Sequence, residues 1–368
     1  MKRTILTVIL LPLALSAFAQ NYKVDSQNPD MLRYGEYHAP SRKEIVLPVQ
    51  VNGYNVYKAD LHTHTIFSDG SVTPQYRVKE AWLEGLDVIA ITDHIEYRPF
   101  EKDMSRYISA KDKKNPDLDM PVELAQEAAE YWDVFVIPGT EITRDGRTIG
   151  HFNALFTRNN NKIYDEDPLC AIRNAKKQGA LVMHNHPGWW RKSIEYSEVE
   201  KAAYDEGLID GVEVMNYDEF YPGIVDRVRE RRLFISANTD VHESSTIDFN
   251  QHSFMRPMTL ILASERTEKS LREALEAGRT LAYGFNTLCG DEQLLKDFFM
   301  ASVTVKKISR DVYMLTNESC VPYILQSDGT NPIRLDPFST IRVEGKDVFT
   351  ILNMFCGKDA HPQVQLSF

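Results

Sequence analysis

"DVIAITDH", residues 87–94, is a short apolar run closed by Thr-Asp-His. Four apolar residues without polar alternation fit a strand buried on both faces. The polar closure is not needed for packing and places reactive groups at the strand's C-terminal end. An amphipathic stretch precedes it (73–85) and another follows (121–132), both at helical spacing.

The same unit recurs outward from this point. The other runs are "NVYKADLHTH" (55–64), "VFVIPGTEIT" (134–143), "HFNALFT" (151–157), "ALVMHNHP" (180–187), "GVEVMN" (211–216) and "LFISANTDVH" (233–242). Further helical stretches are expected at 167–178, 197–207, 222–232 and 267–278. Strand–helix alternation predicts an α/β fold with a parallel sheet and outer helices. In most runs His, Asp or Glu gather toward the C-terminal end. Barrels collect their sites there from several strands, whereas an open sheet uses one switch point. The expectation is therefore a distorted (β/α)7 barrel over residues 54–291. From 292 to 368 short alternating runs such as "VYMLTNES" and "VFTILNMF" predict a small, sandwich-like all-β domain.

The ends and the composition narrow the class. Lys2 and Arg3 precede the apolar run "TILTVILLPLALSAFA", which ends in Ala17-Phe18-Ala19. Residues 1–19 read as a signal peptide, too short for a span, so the chain is expected to be exported to the periplasm with no membrane span after cleavage. Residues 20–53 read as a surface segment. Cleavage would lower 42 basic side chains to 40 against 53 acidic ones, a net charge of −13. That argues against a nucleic-acid-coating role, which needs a basic surface. Of four cysteines, Cys320 and Cys356 are the one pair considered for a disulfide.

Alternate residues on a strand share a side. His62 and His64, His184 and His186, and Asp240 and His242 thus form three same-side pairs. His94 closes one run, His151 opens another and Glu141 lies near the end of a third. Seven of the ten histidines fall on these runs. Singly, each is more often a core or surface histidine; together they point to metal. Imidazole and carboxylate without cysteine suit zinc, manganese, iron or magnesium-like ions at a hydrolytic site.

"DLHTHTIFSDG", "ITDH", "PGTEIT", "HNHPG" and "NTDVH", in that order, resemble the polymerase and histidinol phosphatase (PHP) superfamily over roughly residues 56–290. The signal peptide and β tail are similar to secreted members of phosphodiesterase type. The resemblance implies a trinuclear site binding three divalent ions (Mn, Zn or Fe). His62, His64, Glu141 and Asp240 would hold the first. The second would share Glu141 and add His151 and His186. Asp69, where some relatives have histidine, would hold the third with His94 and His242. Glu141, Asp240 and His242 are the expected catalytic set. Three carboxylates offset half the charge of three divalent ions, so the site would attract a phosphate ester and activate a hydroxide.

The loops after the strands should contact a small-molecule phosphoester. Candidates are Arg98 in 95–120, Arg144 in the Asp-Gly hairpin 143–151, Trp189 and Arg191 in "PGWWRKSIEY" (187–196), and Arg256; His184 is read as a substrate contact, a hydrogen-bonding partner behind the ligands, or a ligand. Packing of the tryptophans under the β domain is the competing reading. Phosphodiester hydrolysis is the expected activity. A histidinol-phosphatase-type monoesterase, an amidohydrolase, and a metal- or glycan-binding protein without catalysis are the alternatives.

Overall fold

Each of the seven runs forms a strand: β1 Tyr54–Asp60, β2 Val88–Ile91, β3 Phe135–Ile142, β4 Phe152–Leu155, β5 Leu181–His184, β6 Gly211–Asn216 and β7 Phe234–Asn238. The computed structural model describes residues 23–25, 28–33, 39–104, 116–249, 255–344 and 347–366. The expected signal peptide lies outside them, as do residues 105–115 of the long loop. Residues 1–41 and 42–368 are separate units; Lys23–Asp25 and Asn28–Arg33 pair antiparallel in the first.

The strands pair in chain order from β1 to β7. All run parallel except β4, which is antiparallel to both β3 and β5. This reversal is the barrel's main distortion. The ring closes at its mouth, where Thr63 and Val241 form a parallel bridge and His64 N donates to Val241 O at 3.1 Å. Below that level the edge of β1 is taken by β8 (Met258–Ala263), followed by β9 (Thr280–Gly284) and β10 (Thr287–Gly290), successively antiparallel. None of these three strands contains a histidine or a carboxylate, the groups that mark the other runs in the sequence.

Every residue of β2, β4, β5, β6 and β7 is buried, as expected of strands covered on both faces. One apolar cluster draws Ala59, Val88, Ile137, Leu155, Met183 and Phe234 from six of the seven strands. Gly211 opens β6 where a Cβ would fall 2.2 Å from the Phe234 ring, so only glycine fits that approach.

The six expected helices form: α1 Pro74–Leu83, α2 Met120–Ala129, α3 Pro168–Lys177, α4 Glu198–Asp205, α5 Pro222–Arg231 and α6 Glu268–Glu276. Their starts are written locally. Thr73, Asp167 and Thr267 cap backbone N–H groups, Ser197 and Glu200 make a capping box, and proline sits in the first turn of α1 and α3.

A further helix, α7 (Glu292–Ser302), opens the C-terminal region. Beyond it lie a three-stranded sheet (303–309, 312–317, 340–344) and a four-stranded one (333–335, 323–326, 348–351, 363–365). Met354–Phe355 pairs in parallel with β10, so the barrel sheet continues into this region. Leu295, Phe299, Tyr323 and Ile351 share a core with Val78 of α1. The considered disulfide is absent: all four cysteines are free. Cys320 N is held by Val46 O and Cys356 N by Ala360 O, which ties the two to different neighbours. Among the described residues no helix is long and apolar enough to cross a membrane.

Candidate metal centre

Six strands point their C-terminal ends at the mouth, and reversed β4 points its N-terminal end there. His151, which precedes β4, therefore joins the same site. The nine expected ligands converge on three carboxylates. Glu141, fully buried on β3, lies within 4 Å of five imidazoles: His94 (2.6 Å), His151 (3.2 Å), His64 (3.5 Å), His62 (3.6 Å) and His186 (3.8 Å). Asp240 meets His64 (2.9 Å), His62 (3.1 Å) and His186 (3.6 Å). Asp69 Oδ1 meets His242 at 3.2 Å and His94 at 3.3 Å. Among the described residues, the ligand atoms of His64, Asp69, His94 and His242 lie within 4.8 Å of one another, as do those of His62, Glu141 and His186, and those of His62, His64 and Asp240.

The hydrogen bonding of the donor set bears on its fit to cations. His242 Nδ1 donates to Asp240 O (2.7 Å) and His151 Nε2 donates to Arg144 O (2.8 Å). Their other ring nitrogens then aim lone pairs at Asp69 and Glu141. A lone pair facing a carboxylate is unfavourable unless a cation lies between them or the ring gains a second proton. His62 Nε2, His64 Nε2, Asp69 Oδ1 and Glu141 Oε2 are all buried without a hydrogen-bond partner. Orphaned buried acceptors of this kind are costly in a folded protein. The residues fit divalent ions.

Without ions, charge is shared among the rings. Burial lowers His64 to about 3, helped by His242 and His94, and lowers His186 to about 3, helped by His151. Burial also opposes protonation of His94, but Glu141 and Asp69 push it up to about 10. Burial alone would raise Glu141, yet His94, His62 and His151 hold it well below the carboxylate range.

Residues outside the expected set fix this geometry. Glu213, central in β6, accepts His62 Nδ1–H at 2.9 Å and presents His62 Nε2 to the site. It also accepts from His186 N (2.8 Å), Asn238 (2.8 Å) and Asn216 (2.9 Å). Asn185 donates to Glu141 Oε1 at 2.9 Å. Asp93 accepts from Thr65 N, Thr65 Oγ1 and Ser68 Oγ, fastening the turn that carries His64 and Asp69. That turn closes tightly: a Cβ on Gly70 would meet His64 C at 2.8 Å. His186 and Asp240 both hold positive φ, 23° and 54°, a strained state for non-glycine residues that surrounding structure must enforce. A buried glutamate amid valines was the one sequence signal for Glu213.

The expected substrate contacts have intramolecular partners. His184 is fully buried, with Nδ1 3.0 Å from Tyr204 OH and Nε2 2.9 Å from Glu200. Arg191 is spent on Glu200 (2.8 Å) and on Gly146 O (2.7 Å). Arg144 pairs with Glu96, Arg98 with Glu101, and Arg256 with Asp60 and Glu84. Trp189 packs edge-on to His186 (5.2 Å) and beside His151 (5.4 Å), and stacks on exposed Trp190 (4.4 Å).

The PHP domain family matches residues 60–231. A two-domain protein of Bacteroides vulgatus, described as containing a predicted PHP-like metal-dependent phosphoesterase, is 32% identical with a TM-score of 0.82, covering 90% of this chain and 100% of that one. The chain belongs to the PHP superfamily. Two uncharacterised proteins of Methanocaldococcus jannaschii also match, one 34% identical over 48% of this chain and 65% of its own length, the other 30% identical over 43% and 81%. The ligand cluster of this PHP chain lies at the mouth of the barrel.

Proposed function

We propose that the protein is an exported phosphodiesterase that works with three divalent ions. His62, His64, Glu141 and Asp240 would hold the first, Glu141 with His151 and His186 the second, and Asp69, His94 and His242 the third. When bound, such ions polarise a phosphoryl oxygen and acidify water. The chain's own residues orient the ligands through Glu213, Asn185 and Asp93.

The observation that favours diesters is the state of the arginines at the mouth. Arg98, Arg144 and Arg191 are each paired with a glutamate. A dianionic monoester calls for unpaired donors around its free oxygens. A monoanionic diester needs fewer, and its second ester group can lie on apolar walls such as Trp189 and exposed Tyr97. The test compares the metal-reconstituted protein on matched 4-nitrophenyl mono- and diesters. A kcat/KM at least tenfold higher for the diester is expected; a preference for the monoester overturns the reading. The run ending at Ala19 supports export, and a periplasmic chain beginning at Gln20 is the expected product.

A further inference from the structure

Arg77, on α1, is among the largest fully buried side chains of the described residues and lies outside the ligand set. Burying a guanidinium costs several kcal/mol unless its donors are matched. Here the partners are specific. Nε and an amino group donate to His64 O at 3.1 and 2.9 Å. The same amino group reaches Val241 O and His242 O, both at 3.2 Å. The other amino group donates to Glu80 at 2.6 Å. Three of the four partner groups are thus backbone carbonyls of the two segments that carry His64 and His242.

Those segments need a clamp. Each has left regular sheet pairing and is joined by the Thr63–Val241 bridge. Between them stands Asp240 in a left-handed conformation. The rings of His64 and His242 stack at 4.2 Å, and His64 lies 4.3 Å from His94. Glu80 extends the clamp by accepting Ser244 Oγ at 2.6 Å. Ser71 N donates to His242 O at 2.8 Å, tying in the turn that bears Asp69.

We propose that Arg77 is a positioning residue for the outermost ion: held by Glu80, it locks the His64 and His242 backbones so that His242 meets Asp69 and His94. Of the imidazoles around Glu141 it bonds only to the His64 backbone, while His62 is set by Glu213. The inference rests on the three-ion reading above.

The test titrates Mn(II) into metal-free protein and follows bound equivalents by calorimetry and electron paramagnetic resonance, with circular dichroism as the folding control. Arg77→Lys keeps a charge for Glu80 but cannot span three carbonyls. The double variant Arg77→Met/Glu80→Gln leaves no unpaired buried charge. Wild type is expected to bind three equivalents. Both variants should bind the outermost ion at least tenfold more weakly and keep the ion of Glu141, His151 and His186, whose backbones Arg77 does not touch, at wild-type affinity. Three equivalents at wild-type affinities in Arg77→Lys would overturn the clamp, as would an equal weakening of all three, the mark of a general structural role. A wild type that takes only two ions would instead defeat the three-ion reading, and this assignment with it.

Discussion

The two ends of the ligand cluster are built differently. At the inner end, Glu141, His62 and His64 are fully buried and His186 nearly so. Glu141 lies on a strand, His62 and His64 follow the end of β1, and buried Glu213, Asn185 and Asn238 support the group. At the outer end, Asp69 is 24% and His242 36% exposed, and both lie on loops. A single carboxylate serves that end, whereas Glu141 and Asp240 share the inner one. A fully buried carboxylate on a strand, Glu141, should hold its ions tightly; a loop carboxylate near solvent, Asp69, should release its ion first.

The comparison breaks most directly at Glu141. Glu141→Gln should lower kcat/KM by more than about 100-fold and strip more than one ion, since even partners behind metal ligands cost about 10–100-fold. Plasma emission analysis beside kinetics checks both; near-normal activity with full metal would remove the hub. Next is Glu213→Gln, which keeps shape but weakens the acceptor behind His62. A loss of about 10–100-fold in metal affinity or activity is expected, confined to the inner end. Asp69→Asn should be milder, weakening a single ion by about tenfold or more while the inner ions stay. If it emptied the inner end too, the two ends would be one cooperative unit.

Glu200→Gln should move the metals least and stability most. Glu200 is buried between His184 and Arg191. Burial alone would raise its carboxyl, but those partners hold it down at about 2, against an ordinary 4.5. A depressed carboxyl stabilises the fold above its unfolded pKa, and that contribution is lost as pH falls from about 4.5 toward about 2. The variant should lose about 3 kcal/mol at neutral pH, the cost of breaking a buried pair. Its melting temperature should also vary less between pH 5 and 3. Unchanged stability with altered metal content would assign Glu200 to the centre instead.

The sequence alone determined the seven strands, the six helices and the residues that meet at the mouth. The elements follow from local properties, apolar runs of strand length and caps at helix starts, and most ligands from His or carboxylate at strand ends; Asp69, on a loop, was implied by the family resemblance. Tertiary structure decided the rest. The reversal of β4 is invisible in "HFNALFT", yet it alone brings His151 into the site. Nothing in the helical stretch 73–85 marks Arg77 and Glu80 as a buried pair, because burial depends on what packs over a helix and not on its spacing. Arg191 and Arg144 looked free to bind phosphate; whether a cation is free depends on which carboxylates the fold sets beside it. A sequence names the groups able to do chemistry, but the pairing of charges is a property of three-dimensional neighbours.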